Sequence, residues 1–262
     1  MRCAAVAAVA LLGAITATMT ATPVAAEKLV SSLSSHRVLI TPSFVGTELV
    51  LFGTIEADGA VVPRRGRYDI VATVTGPRET LVVRRKDRVV GIWVNADSRT
   101  FVQVPSYLAV LTTRPVEEIA PLDVLRRLQL GLRRTLLPQQ IGPDMADVPR
   151  DDPFRTAFLR LKLSHGLYVE APTGIAFLTP TLFRGSIPLP AEAPVGSYEV
   201  EVKLFADGAL VTRGVDAFEI AKFGFEQFVA ASAVNHGLLY GLATAAMALL
   251  TGWAASVIFR RD

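Results

Sequence analysis

Cysteine is almost absent from this 262-residue chain, and its one cysteine, Cys3, lies close to the start. Cys3 precedes an apolar run, whereas the lipid-modified cysteine of a lipoprotein would follow such a run. If the N-terminal segment is removed on export, the mature chain has no cysteine at all. That excludes disulfides, thiolate metal sites and cysteine nucleophiles, so the fold must be stabilised by ordinary core packing.

Histidines and catalytic motifs are also scarce. The three histidines, His36, His165 and His236, are far apart, and none has a second metal ligand at helical spacing. The sequence has no Gly-x-Ser-x-Gly, no His-Glu-x-x-His and no Gly-x-x-x-x-Gly-Lys. The carboxylates of Asp151 and Asp152 stand just before Pro153, a pattern typical of a helix cap. We therefore expect no catalytic, cofactor or metal site.

Neither sign of charge is in large excess, because the chain contains 27 Lys and Arg and 24 Asp and Glu. This balance argues against a nucleic-acid partner. Locally, seven basic residues could form a patch if their loops meet. We interpret them as a solvated loop and hairpin tip, with contact to acidic headgroups or a periplasmic polyanion as the alternative. They are Arg64, Arg65, Arg67, Arg84, Arg85, Lys86 and Arg88.

The N-terminus has the pattern of a secretory signal. Arg2 gives a positive start, Ala4 to Ala17 is apolar, and Pro23 breaks the run. The small residues Val24 and Ala26 occupy the −3 and −1 positions of a cleavage site. We predict cleavage after Ala26, with an uncleaved N-terminal anchor as the alternative.

The C-terminus contains an uncharged stretch, Gly237 to Phe259, long enough to span a bilayer. Arg260 and Arg261 follow it, and such residues mark the cytoplasmic side. The residues before the stretch would then lie outside, which is the orientation that a signal peptide requires. Small residues share one side of the predicted helix, a pattern that favours close helix–helix packing in lipid. They are Gly237, Gly241, Ala245, Ala248, Gly252 and Ser256.

Between these ends the sequence predicts mostly β-structure. About seven short strands lie between His36 and Thr113, with Arg85 to Arg88 as the tip of one hairpin. Strands return after Leu167, where Tyr198 to Leu204 alternates between apolar and polar residues. Between the two β regions we predict a helix from Pro121 to Leu137, a loop over 142–152 and a second helix from Pro153.

We therefore predict two Ig-like β-sandwich modules with a helical insert between them and one C-terminal transmembrane helix. Whether the two β regions form one domain or two stays open. The segments are a signal peptide (1–26), an N-terminal sandwich (27–115), a helical insert (116–165), a C-terminal sandwich (166–221), a juxtamembrane segment (222–236), the transmembrane helix (237–259) and a cytoplasmic tail (260–262).

Several motifs give the chain a resemblance to a family of transmembrane proteins from alphaproteobacteria whose function is unknown. They are Phe44–Gly46, Leu51–Gly53, Phe177–Pro190, Pro194–Tyr198, Lys203–Gly208, Leu239–Leu242 and Gly252-Trp253. These motifs are typical of strands, turns and a span, and the resemblance carries no catalytic residues. It implies a location in the bacterial inner membrane and a domain in the periplasm.

The functional hypothesis is a non-catalytic accessory or binding subunit of a membrane complex, not an enzyme and without a cofactor. Its expected partners are the membrane and another membrane protein, or a second copy of itself, through the transmembrane helix. One alternative is a periplasmic enzyme whose site is assembled from scattered carboxylates and histidines. Another is a module that binds a polyanion of the envelope.

Overall fold

The computed structural model describes residues 27–41, 43–56, 67–141, 144–147, 149, 151–222 and 233–258. In these residues the protein is mostly β, with three sheets, one of them curled into a half-barrel, a short helical insert and a C-terminal apolar helix. The strands are β1 Lys28–Leu33, β2 Arg37–Ile40, β3 Gly46–Glu56, β4 Tyr68–Thr75, β5 Arg78–Val89, β6 Ile92–Pro105, β7 Leu108–Thr112, β8 Pro138–Ile141, β9 Asp144–Asp147, β10 Tyr168–Ala171, β11 Ile175–Phe177, β12 Leu182–Pro190, β13 Gly196–Ala206 and β14 Ala209–Lys222. The helices are α1 Val116–Ile119, α2 Leu122–Arg127, α3 Pro153–Ser164 and α4 Gly237–Ile258, with a 3-10 turn at Leu132–Arg134.

The strands of the two predicted β regions are interleaved. The first sheet has the order β1-β3-β12-β11, and the second has the order β10-β7-β4-β13-β14-β2. Strand β3 pairs with β12, and β4 pairs with β13, so each sheet combines strands from both regions. The prediction of two separate Ig-like modules is therefore wrong. Alternation reveals which segments are strands, whereas the partner of each strand depends on contacts distant in sequence.

The main core lies between the first and second sheets. The alternation predicted for β13 is confirmed, since Tyr198, Val200, Val202 and Leu204 are all buried in this core. Strand β12 contributes Phe183 from the opposite sheet. The two sheets therefore pack face to face as one sandwich.

The second sheet is buried on its other face as well. On β4, Ile70 and Ala72 face the main core, while Val71 between them packs in a second cluster with Leu125 of α2. All five residues of β7 are buried for the same reason. The helical insert thus covers the outer face of this sheet instead of linking two domains.

The insert differs from the predicted helix over Pro121 to Leu137. Helix α2 ends at Arg127, and a 3-10 turn follows at Leu132–Arg134. Between them Gln129 and Gly131 have φ angles of 53° and 91°, which an α-helix does not tolerate. Leu125, Leu130 and Leu132 of the insert are buried in the second cluster, whereas Leu122 and Leu136 are exposed.

Helix α3 is confirmed, together with its cap. The Asp152 carboxylate accepts a hydrogen bond of 2.8 Å from the Arg155 backbone N–H, and Pro153 opens the helix. Phe158 stacks on Phe101 of β6 with ring centroids 4.7 Å apart, which fixes the helix against the third sheet. That sheet has the order β5-β6-β8-β9. Strand β9 lies where we predicted only a loop.

The β5–β6 hairpin also corrects a prediction. The predicted tip, Arg85 to Arg88, lies within β5, and the turn is instead formed by Val90 and Gly91. Their φ angles are 50° and 83°, as a tight two-residue hairpin turn requires. Within the predicted basic patch, Arg84, Arg85, Lys86 and Arg88 therefore lie along an extended ribbon, behind a tip made of apolar residues. Arg64 and Arg65 lie outside the described residues.

Two motifs that carry the family resemblance meet in the first sheet. Gly53 of β3 is the register partner of Phe183 of β12. A Cβ atom at Gly53 would lie 2.6 Å from Phe183 Cζ and from the Val30 carbonyl oxygen. Only glycine lets the aromatic ring and strand β1 approach this closely, so the two distant motifs form one packing unit.

Candidate functional site

Helix α4 carries the small-residue face predicted from the sequence. Its 22 residues rise about 33 Å at ~1.5 Å per residue, close to the thickness of a bilayer core. Its stretch Gly237–Ser256 has a mean hydropathy of 1.5 and is the one candidate span among the described residues. All six predicted face residues lie on it: Gly237, Gly241, Ala245, Ala248, Gly252 and Ser256.

No other described part of the chain covers this face. All six side chains or glycine positions are exposed, and a Cβ atom at Gly237, Gly241 or Gly252 would meet no atom within 4 Å. The hydroxyls of Thr244 and Thr251 are satisfied inside the helix, because they donate to Tyr240 O at 3.1 Å and Met247 O at 2.7 Å. The helix thus needs no outside partner for these hydroxyls, and its small face is free for close packing.

The remaining topology predictions fall on residues that the structure leaves undescribed. Residues 1–26, with the predicted signal peptide, and the basic pair Arg260 and Arg261 lie outside the described part. So does most of the predicted juxtamembrane segment, residues 223–232. The sidedness of the protein therefore stays a prediction.

A cleft of about 740 Å³ lies on the outer face of the second sheet, between β4, β13, β14 and the insert. Its volume falls within the range of small-molecule sites, roughly 300–1,000 Å³. Hydroxyls of Thr73, Thr75 and Ser197 and the carboxylate of Glu199 line the sheet side. Leu128, Gln129, Thr135, Leu136 and Pro138 line the insert side.

A buried cation gives this cleft its electrostatic character. Lys203 is only 5% exposed, and its ammonium donates a hydrogen bond to Glu201. Arg213 Nη1 lies 3.7 Å from the other oxygen of the same carboxylate. The alternation along β13 predicts that Glu199 and Glu201 both lie on its solvated face. Glu199 is exposed, whereas Glu201 is half-buried between two cations, so its charge is neutralised within the protein.

Tyrosine hydroxyls nearby are structural donors. Burial raises the pKa of Tyr198, and the charge of Glu79 raises it further. The hydroxyl therefore stays protonated and donates to Pro194 O at 2.6 Å, closing the turn before β13. Tyr168 behaves alike: its pKa is raised mainly by burial, and it donates to Pro105 O at 2.8 Å.

The histidines and the capping aspartate lie at separate places. His36 and His236 are exposed, and His165 Nδ1 is 2.8 Å from Glu192 Oε2 in a surface pair. Asp152 is engaged as the cap of α3. Within the described ranges no three His, Cys, Asp or Glu side chains are arranged to hold a metal ion.

Two features were missed by sequence reasoning. The cleft is one, because it is formed by strands and insert residues that are far apart in sequence. The apolar ribbon tip is the other, and its signal was present: Val90-Gly91 stands between Val89 and the apolar Ile92-Trp93-Val94. A Val-Gly pair is an unusual turn, so the segment was assigned to a strand.

Comparison with known proteins identifies the family to which the chain belongs. A search of curated proteins finds no match to the chain. A family model described as "Putative transmembrane protein (Alph_Pro_TM)" matches residues 28–261, which include the β domain, α4 and the basic pair after it. The resemblance noted from the sequence motifs is therefore confirmed, and the chain belongs to this putative transmembrane protein family.

Proposed function

We propose that this protein is a non-catalytic accessory or binding subunit of a bacterial inner-membrane complex. Helix α4 spans the membrane once, the β domain lies in the periplasm and the C-terminus lies in the cytoplasm. The observation that carries the proposal is the small-residue face of α4, which no described part of the chain covers.

The physical argument concerns what drives association inside lipid. Apolar side chains gain little by leaving lipid for another helix, so packing depends on close backbone approach. Small residues at Gly241, Ala248 and Gly252 permit that approach, and large ones would prevent it. A partner helix from another membrane protein, or a second copy of α4, fits this face.

The cleft supports the binding part of the proposal. It places hydroxyls and a carboxylate beside aliphatic side chains, an arrangement that suits a small polar ligand. Lys203 and Glu201 neutralise each other there, which leaves the hydroxyls and the exposed Glu199 carboxylate to contact a ligand.

The test of the packing role compares two faces of α4. Full-length protein carrying Gly241→Leu and Gly252→Leu should lose its partner in native gels and crosslinking from gently solubilised membranes. The matched control carries Ala243→Leu and Ala246→Leu, which enlarge small residues on other sides of the helix. The proposal fails if wild type is monomeric under crosslinking, or if the Gly241/Gly252 variant keeps its partner.

Orientation is tested by reporters fused after Asp262. A fluorescent protein that matures only in the cytoplasm should fluoresce, and a C-terminal alkaline phosphatase should be inactive. The reverse pattern would refute the proposed sidedness while leaving the packing role to its own test.

A further inference from the structure

The tip of the β5–β6 ribbon exposes a cluster of large apolar side chains. Val90 is 96% exposed, Ile92 69%, Trp93 66% and Val89 52%. The base of the same ribbon is different, because Val83 and Phe101 are buried in the second cluster. From Val83 to Val90 the ribbon extends about 23 Å at roughly 3.3 Å per residue. The apolar tip is therefore held well away from the core.

The turn itself holds an apolar residue against the preference of its backbone. Val90 has φ of 50°, a conformation that is unfavourable for a β-branched residue and in which asparagine or glycine is preferred. No packing explains the choice, since Val90 is almost fully exposed. The valine side chain is therefore almost free of contacts within the described protein and is available for contact with another surface.

Register places two kinds of surface at the tip. Val89 is opposite Ile92, so their side chains form an aliphatic face. Arg88 is opposite Trp93, so a cation and an amphipathic ring share the other face. An apolar end beside a tryptophan and an arginine matches the polarity gradient of a membrane interface.

Charge behind the tip has one predominant sign. Residues 84–99 contain five basic side chains and two acidic ones, Asp87 and Asp97. Arg84, Arg85 and Lys86 are exposed along β5, between the core and the apolar tip. One acidic group is already engaged, because Asp97 lies 3.3 Å from Arg99 Nη1. The ribbon thus presents uncompensated cations immediately behind the apolar residues.

We propose that this ribbon is a membrane-contacting arm that inserts its tip into an anionic phospholipid bilayer. Val89, Val90 and Ile92 enter the acyl boundary, and Trp93 lies at the headgroups. Arg84, Arg85 and Lys86 bind lipid phosphates. A lipid surface fits better than an apolar protein groove, because the cations lie behind the tip, on the side where headgroups would lie.

The experiment uses the full-length chain in nanodiscs and the fluorescence of Trp93. The chain has two tryptophans, and Trp253→Phe leaves Trp93 as the one reporter. Brominated phosphatidylglycerol is supplied in the same nanodisc or in separate vesicles. Quenching of Trp93 in either arrangement supports the proposal and identifies which membrane the arm reaches. Trp93 emission unaffected in both arrangements would overturn it and indicate a protein partner for the tip.

Variants test the apolar tip and the basic residues of β5 separately. Val90→Asn preserves the turn but replaces the most exposed apolar side chain of the tip, and it should lower the quenching of Trp93. Arg84→Glu with Arg85→Glu should weaken binding to phosphatidylglycerol vesicles at least about tenfold, with the effect diminishing at high salt. Arg126→Glu with Arg127→Glu, on exposed α2 positions, is the charge-matched control and should behave as wild type. Trp93 quenching that Val90→Asn leaves unchanged contradicts the proposal, and so does vesicle binding that the α2 control weakens as much as the β5 variant.

Discussion

Strand β7 and helix α4 are both strongly apolar, yet β7 is buried and α4 is exposed. Every residue of Leu108–Thr112 is buried, between the first sheet on one side and the insert on the other. Helix α4 is exposed along almost its whole length. Hydropathy alone does not separate the two segments. The difference lies in what covers them: the protein itself covers β7, whereas no described part of the chain covers α4.

The β5–β6 ribbon repeats this contrast within one hairpin. Its base is buried by α3, where Phe101 stacks on Phe158, whereas its tip at Val90 is exposed. If the contrast is correct, changes in covered regions should lower stability, and changes in uncovered regions should leave stability intact. The following predictions test that rule.

The largest loss is expected in the sandwich core. Phe183 is fully buried and lies edge-on to Phe177 with ring centroids 6.1 Å apart. Phe183→Ala leaves a cavity beside Gly53 and should lower the free energy of unfolding by about 3–5 kcal/mol. Urea denaturation of the full-length protein in detergent measures this. Val90→Ala is the exposed control, and a comparable loss in both variants would refute the contrast.

A smaller loss is expected where the insert is attached. Arg155 is 2% exposed, and its guanidinium donates to Asp147 Oδ1 at 3.0 Å and Thr135 O at 2.6 Å. Arg155→Met keeps much of the side-chain volume but leaves both acceptors without this donor. We expect a loss of about 2–3 kcal/mol in the same denaturation assay.

Arg127→Met serves as the matched control for Arg155, since Arg127 is exposed on α2. It should change stability by less than about 0.5 kcal/mol. Equal losses in the two variants would show that the buried guanidinium does not stabilise the insert.

A gain is expected at the ribbon tip. Val90→Asn relieves an unfavourable φ angle without removing any contact in the protein, so stability should rise by about 1 kcal/mol. The measurement is the midpoint of urea unfolding, with Val89→Asn as a control that has no positive φ. A loss of stability at Val90→Asn would mean that the valine packs within the chain after all.

The smallest effect concerns pH. Burial raises the pKa of Glu170 above its usual 4.5, and the Glu117 carboxylate also contributes, against the lowering effects of the Leu132 backbone and of Arg134 and Arg133. A carboxyl with a raised folded pKa favours folding at low pH, and that contribution is lost as pH rises through the folded value. The difference in stability between Glu170→Gln and wild type should therefore shift in favour of the variant as pH rises from 4.5 towards neutrality. Identical pH profiles for wild type and variant would contradict the role of this group.

Local signals in the sequence were sufficient for several elements. Alternation from Tyr198 to Leu204 identified β13, the Asp152-Pro153 pair identified the start of α3, and the uncharged stretch after Gly237 identified α4. Each of these signals depends on neighbours within a few residues. The small-residue face of α4 was also predictable from the sequence, because helical periodicity alone defines which residues share a face.

Other features required contacts between distant residues. The register of Gly53 with Phe183 joins positions 130 apart and merges two expected modules into one sandwich. The cleft needs β13 beside the insert, and the turn at Val90-Gly91 exists because the whole ribbon is paired in one register. The sequence by itself therefore determined most of the strands, helix α3 and the candidate span, but not strand β9 or the break in the insert helix. Only the tertiary structure decided which apolar surfaces the protein covers and which it leaves exposed, because burial is a property of the assembled chain.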